Sequence, residues 1–485
     1  MGLTLAAYFG ALLTVSRRVG GRGRNDDFFR AGRESPWYMV AFGMIGASIS
    51  GVSFISVPGW VRDTGMSYLQ MCMGFVAGYA AVAFILLPLY YRLRLTSIYT
   101  YAGTRFGASG HRTAALFFLL SKLTGAAARL YLVCLVLQSF VATPLGCPFP
   151  LTVLTVLGLI WLYTRRSGIR SIVRTDALQT FCLLVALAGL VAISTRQLGL
   201  DWNGLVAIVT ESPYNQVFVW DGGSPQAFWR QFLSGAFIVI VMTGLDQDMM
   251  QKNLTCRTLH EAQKNMCSYG LSFLPVNFLF LLLGILLYAL CQSRGITPPA
   301  ASDELLPSLV ASGALGSWVI VPFTIGIVAA AFSSADSALT ALTTSCCIDL
   351  LGVERRNYPP QRAERIRKQT HVVMVAAFFT CILAFRALNN TNVINAIYVM
   401  ASYTYGPLLG LYAFGLYTRR RVNDRLIPFV AIIAPLLCAL LNEGIPRLWG
   451  YRFGYELLLL NGLLTMAGLW LISVPAQRRL SADKP

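Results

Sequence analysis

The sequence predicts an all-α polytopic membrane protein of about thirteen transmembrane helices, and three observations carry that class. Of its 485 residues, 56% are hydrophobic and 12% charged, with a mean hydropathy of +0.60. The apolar residues gather in runs of about 20, the length that crosses a bilayer core. Basic residues fall between the runs and alternate from one loop to the next.

Taken in order, the first run, 1-16, lacks a small-residue cleavage motif behind a basic head, so it reads as a span rather than a signal peptide. The second, 37-58, is interrupted in MVAFGMIGASISGVSFISVPGW. Its glycines and proline permit local unwinding that frees carbonyls for a cation, or close helix packing. Runs 66-91 and 113-143 follow, the latter carrying Lys122 and Arg129, and 151-164 is short. Run 176-195 begins at an aspartate. Run 228-248 is interrupted like the second, in SGAFIVIVMTGLDQD, and 269-291 is uniformly apolar. Run 315-348 carries a polar stripe, and 370-388, 394-417, 427-442 and 454-474 complete the set. The two interrupted runs stand five apart, which places them at equivalent points of two five-helix repeats, 37-195 and 228-417, inside one membrane domain spanning 1-485.

The formal net charge of +18 has the sign of a nucleic-acid binder, but its distribution excludes that class. Thirty of the 39 Lys and Arg lie in the segments after the odd-numbered spans and in the C-terminal tail, against seven in the opposite loops. By the positive-inside rule this places the N-terminus outside and the C-terminus in the cytoplasm of a plasma (inner) membrane protein. The eleven cysteines form no CxxC pair and no metal-ligand spacing. His111, His260 and His371 fall in or beside cytoplasmic segments, which argues against a membrane enzyme built on an intramembrane histidine.

In AAAFSSADSALTALTTS, residues 329-345, helical spacing puts Ser333, Asp336, Ser337, Thr340 and Thr344 on one face. A carboxylate in the bilayer interior costs about 2.5–3.5 kcal/mol on insertion scales and marks an ion or solute pathway by default. The competing reading has the hydroxyls bonding back to carbonyls one turn earlier and Asp336 paired with a basic residue.

The ordered set GASISGVSFISVPG, TGAAARLYLVCLVLQ, SGIRSIVRTDALQTF, GLDQDMMQKNLTCRTLHEAQKN and AAFSSADSALTAL closely resembles the sodium:solute symporter family, over nearly all of the chain from about Phe28. The resemblance implies a leucine-transporter-like inverted-repeat core and coupling to Na+. Carried over by motif, the backbone carbonyls of Gly46, Ile49 and Ala330 and the hydroxyls of Ser333 and Ser334 form a common sodium site, an all-oxygen set suited to a hard cation. Members that take up sialic acid add a second sodium site, whose counterparts are Asp176, Ser333, Asp336 and Ser337. Those members have serine where this chain has Asp336, so two carboxylates bind a cation more strongly or one is protonated or paired. Asp176 after Thr175 suits a helix N-cap equally well.

The resemblance further places Ser50, Ser53, Tyr68 and Cys72 beside the solute. Arg129 falls where sialic acid transporters hold a carboxylate, a task its guanidinium fork fits, although an arginine there can also bridge helices. Sugar-transporting members carry an acidic residue and a glutamine where this chain has Val52, Ser53 and Cys72, which disfavours a neutral hexose. The expectation is a sodium-driven symporter, working as a monomer in the lipid bilayer, that imports a small carboxylate-bearing solute or a sugar derivative. A symporter for a neutral sugar or polyol and a non-transporting sensor on the same fold are the alternatives. No signalling domain follows residue 474, which weighs against the sensor.

Overall fold

The computed structural model describes residues 2–19, 25–165, 168–388, 393–449, 451 and 453–475. The basic tail counted above lies outside them, as do parts of the basic loops after the first and fifth spans.

Among the described residues, helical segments stand at all thirteen expected spans. Seven are single helices long and apolar enough to cross a membrane: α4 (Tyr68–Arg92), α5 (Ala108–Leu145), α7 (Ile169–Gln197), α10 (Leu259–Ser293), α11 (Ser317–Leu350), α12 (Pro360–Ala387) and α14 (Asp424–Leu448). Two more spans are broken. Helices α2 (Trp37–Ser48) and α3 (Gly51–Thr64) meet at a 62° bend, and α8 (Phe228–Gly244) and α9 (Gln247–Asn253) at 71°. Shorter apolar helices α6 (Phe149–Thr164) and α15 (Leu457–Leu471) hold two further places, and α1 (Gly2–Val19) and α13 (Val393–Tyr417) the last two.

Both breaks have local causes. Ile49 and Ser50 are extended, with ψ of 94° and 166°, so the last carbonyls of α2 leave the helical ladder. At the second break Asp246 is extended, and its carboxylate accepts from the Asp248 N–H at 2.8 Å, capping α9.

The surface is inverted relative to a water-soluble protein. Phe84, Leu120, Leu154, Phe181, Leu271 and Leu436 face outward, while Asp176, Asp246, Asp248, Lys122, Lys252 and Asp336 are buried. An apolar exterior with the charged groups withdrawn into the packed interior is what a lipid solvent selects.

The broken helices sit at the centre, held by close backbone contact. A Cβ on Gly74 of α4 would meet the Phe232 carbonyl of α8 at 2.1 Å, and one on Gly235 of α8 would meet the Met71 carbonyl at 2.3 Å. Helix α2 packs on α7, α3 on α10, α7 on α11, and α13 on α5 and α15.

Candidate functional site

The site is built where the break between α2 and α3 meets α11. Every residue from Gly326 to Ser345 is buried, so the polar stripe faces protein and not lipid. Ser334 Oγ donates to the Ala47 carbonyl at 3.1 Å and to the Ala330 carbonyl at 3.0 Å, joining α11 to the unwound end of α2. Gly46 lies beside α7, its N–H donating to Thr180 Oγ1 at 3.1 Å. The structure thus brings Ser333, Ser334 and Ala330 of α11 against the last turn of α2, with Ile49 buried at its cap. Oxygens dominate this junction, a donor set for an alkali cation rather than a transition metal.

One turn along α11, Asp176 of α7 gathers the stripe. Ser333 Oγ donates to its Oδ1 at 2.9 Å and Ser337 Oγ to its Oδ2 at 3.5 Å. Its Oδ2 also lies 2.7 Å from Lys252 Nζ of α9. Asp176 is well inside a helix that starts at Ile169, so it is not an N-cap. Asp336 turns the other way: Tyr163 of α6 donates to its Oδ2 at 2.7 Å, and its Oδ1 is buried without a hydrogen-bond partner among the described residues. Thr344 does bond back, to the Thr340 carbonyl at 2.9 Å, so the stripe divides between the two readings open in the sequence.

Lys252 had counted as a cytoplasmic loop charge; the structure corrects that placement. It sits in a helix whose seven residues are all buried. Lys122 and the two acidic residues of LDQD, to which the sequence assigned no role, form a second cluster. Lys122 Nζ lies 3.1 Å from Asp246 Oδ2 and 2.8 Å from Asp248 Oδ2, and Tyr405 donates to Asp246 at 2.6 Å. Two acids closing one membrane-length apolar run and a lysine inside another were a legible signal for such a network.

A central cavity of about 130 Å³ opens beside both breaks. Ser50, Ser53, Tyr68 and Arg129 line it, together with Lys122, Asp246 and Tyr405. Cys72, one turn from Tyr68 on the same face of α4, is fully buried and does not line it. Arg129 makes no hydrogen bond or ion pair to any described residue, in contrast to the doubly paired Lys122 beside it.

Trp60 and Tyr68, with ring centroids 5.4 Å apart, also line a larger vestibule of about 610 Å³ that includes Asp63, Gln226, Asp303 and Glu456. Burial holds the Asp303 carboxyl above the ordinary carboxylate range. Burial opposes ionisation of Glu456 too. There, backbone hydrogen bonds at Gly454 and Glu456, with Tyr451 and Arg230, outweigh it and hold the carboxyl below its usual range.

The family model for the sodium:solute symporter family matches residues 28–425. The chain is 24% identical to the sodium/sialic acid symporter NanT of Aliivibrio fischeri, over 90% of this chain and 86% of that one. It is 21% identical to the sodium/sialic acid symporter SiaT of Proteus mirabilis, over 90% and 88%. With the human sodium/iodide cotransporter the identity is 23%, over 86% of this chain but 64% of the cotransporter's length. A solved Na+-coupled sialic acid symporter, in a substrate-bound outward-open state, superposes with a TM-score of 0.80 at 17% identity, over 97% of this chain and 96% of that one. A closed nucleobase-cation symporter, Mhp1, follows at 0.58 and 15%, over 91% and 92%. At these identities the superpositions speak for the fold.

Proposed function

The chain belongs to the sodium:solute symporter family, and we propose that it is a symporter in which an inward sodium gradient drives uptake of a small organic carboxylate. Sodium-coupled symport with Na+ as the co-transported ion follows from the family and its relatives. The carboxylate rests on one observation: Arg129 presents a guanidinium to the central cavity with no carboxylate of its own among the described residues. An anionic ligand entering the cavity meets this charge through two parallel hydrogen bonds. The named solutes of the relatives, iodide, sialic acid and monocarboxylates, are or bear anions.

Sodium binds where Ser333 and Ser334 meet Gly46, Ile49 and Ala330, and the solute binds between Ser50, Ser53, Tyr68 and Arg129. The two sets adjoin along residues 46–50, with Gly46 and Ile49 in the sodium set and Ser50 in the solute set, so an ion that orders the break also shapes the solute cavity, which is a physical basis for coupling. The five-helix repeats are supported by exchange of packing partners: α2 on α7 mirrors α8 on α13, and α7 on α11 mirrors α13 on α5. The vestibule is formed by the loops poor in Lys and Arg, so it faces outward with the C-terminus in the cytoplasm. The protein works as a monomer in the plasma (inner) membrane, and transport rather than catalysis is its activity.

The test is competition against sodium-driven uptake in proteoliposomes by matched pairs of acids and their methyl esters. Acids that compete while their esters do not support the reading. Competition by neutral sugars or polyols alone moves the assignment to that class, and saturable binding without uptake moves it to a sensor.

A further inference from the structure

Resting on the symport reading, the strongest unassigned feature is the buried lysine on α9. Asp176 collects two serine hydroxyls and one cation, as expected of a second sodium site, yet the cation is Lys252 Nζ at 2.7 Å from Oδ2. Both side chains are almost fully buried, at 2% and 1% exposure, so their charges meet with little screening.

We propose that the Lys252 ammonium is a tethered cation that stands in for a second sodium ion at Asp176, so that each solute moves with one sodium.

Tethering is built into α9. Gln247 accepts from the Ile98 N–H at 2.9 Å and donates to the Thr96 carbonyl at 2.9 Å. Gln251 donates to the Phe29 carbonyl at 2.8 Å and to Thr344 Oγ1 at 3.1 Å. Asp248 is held by Lys122 at 2.8 Å. A sodium ion entering at Asp176 would meet a like charge carried on a helix that these bonds hold in place.

The fixed charge also has a task at the common site. Paired with Lys252, the Asp176 carboxylate accepts a hydrogen bond from the Ser333 hydroxyl, and the Ser333 oxygen keeps its lone pairs for the sodium bound there. Lys252 is thus a positioning residue. It supplies a charge that never dissociates, so it performs no gradient-driven work. Asp336, the other carboxylate of the cluster, accepts from Tyr163 on the far side of α11.

The experiment counts sodium. Radioactive sodium bound per purified protein, and the sodium-to-solute flux ratio in proteoliposomes, should both be one for the native chain, with a sodium Hill coefficient near one. Lys252→Met keeps the length of the side chain and removes its charge, and should raise bound sodium to two and the Hill coefficient above one. Adding Asp176→Asn to that variant should return the count to one. Two sodium ions per native protein overturn the proposal, as does a folded Lys252→Met protein that still binds one. Should Lys252→Met not fold, the native count and flux ratio decide alone. A native protein with no sodium dependence would instead defeat the symport reading itself.

Discussion

Replacing Arg129 by alanine leaves a solute carboxylate without a countercharge in the central cavity. The neighbouring cation cannot take over, because Lys122 is held by Asp246 at 3.1 Å and Asp248 at 2.8 Å. Losing one partner of a desolvated, hydrogen-bonded charge pair costs about 2–5 kcal/mol. At about 1.4 kcal/mol per tenfold, that is roughly 30-fold to several thousand-fold in solute affinity. Arg129→Lys keeps the charge but loses the fork, and should fall between the native chain and Arg129→Ala. The assay is the solute concentration giving half-maximal sodium-driven uptake, with sodium affinity measured in parallel to detect general damage. A carboxylate solute taken up with unchanged affinity by Arg129→Ala would refute the reasoning and leave Arg129 a helix-bridging residue.

Three further outcomes follow from the same geometry. Ser334→Ala removes the hydroxyl that joins Ala330 to the unwound end of α2, so the sodium concentration for half-maximal uptake should rise while membrane insertion persists; unchanged sodium dependence would discard the common site. Gly74→Ala drives a methyl into the Phe232 carbonyl and should lower stability by about 1–3 kcal/mol, read as a lower melting temperature in detergent. Because the Glu456 carboxyl is held below its ordinary value of 4.5, the stability it contributes is complete above that pH and is lost as the pH falls through the depressed value. Thermal unfolding followed from neutral to acid pH should show this loss, and Glu456→Gln should flatten it.

Hydropathy and loop charge made the spans legible because both follow from the bilayer as solvent, and each of the thirteen has its helical counterpart. The two breaks were legible for a local reason: glycine clusters interrupt the apolar runs at Gly46–Gly51 and at Gly244. The shared face of Ser333 and Ser337 was legible in helical spacing, and their grouping with Asp176 only through the family resemblance. Lys252 was not, because α9 is only seven residues long and its polar sequence reads as a loop. Which helix it packs against is a long-range fact that no local pattern encodes. Cys72, which the resemblance places beside the solute, is fully buried and does not line the cavity, a detail of packing that a motif does not encode.

The account's central claim is that sodium drives solute entry. Purified protein in sealed liposomes, loaded with potassium buffer and diluted into sodium buffer, should accumulate a carboxylate solute above its outside concentration. Accumulation should vanish when choline replaces sodium or when the sodium gradient is collapsed. Uptake that is equally concentrative in choline, or that only equilibrates across the membrane with sodium present, would contradict it.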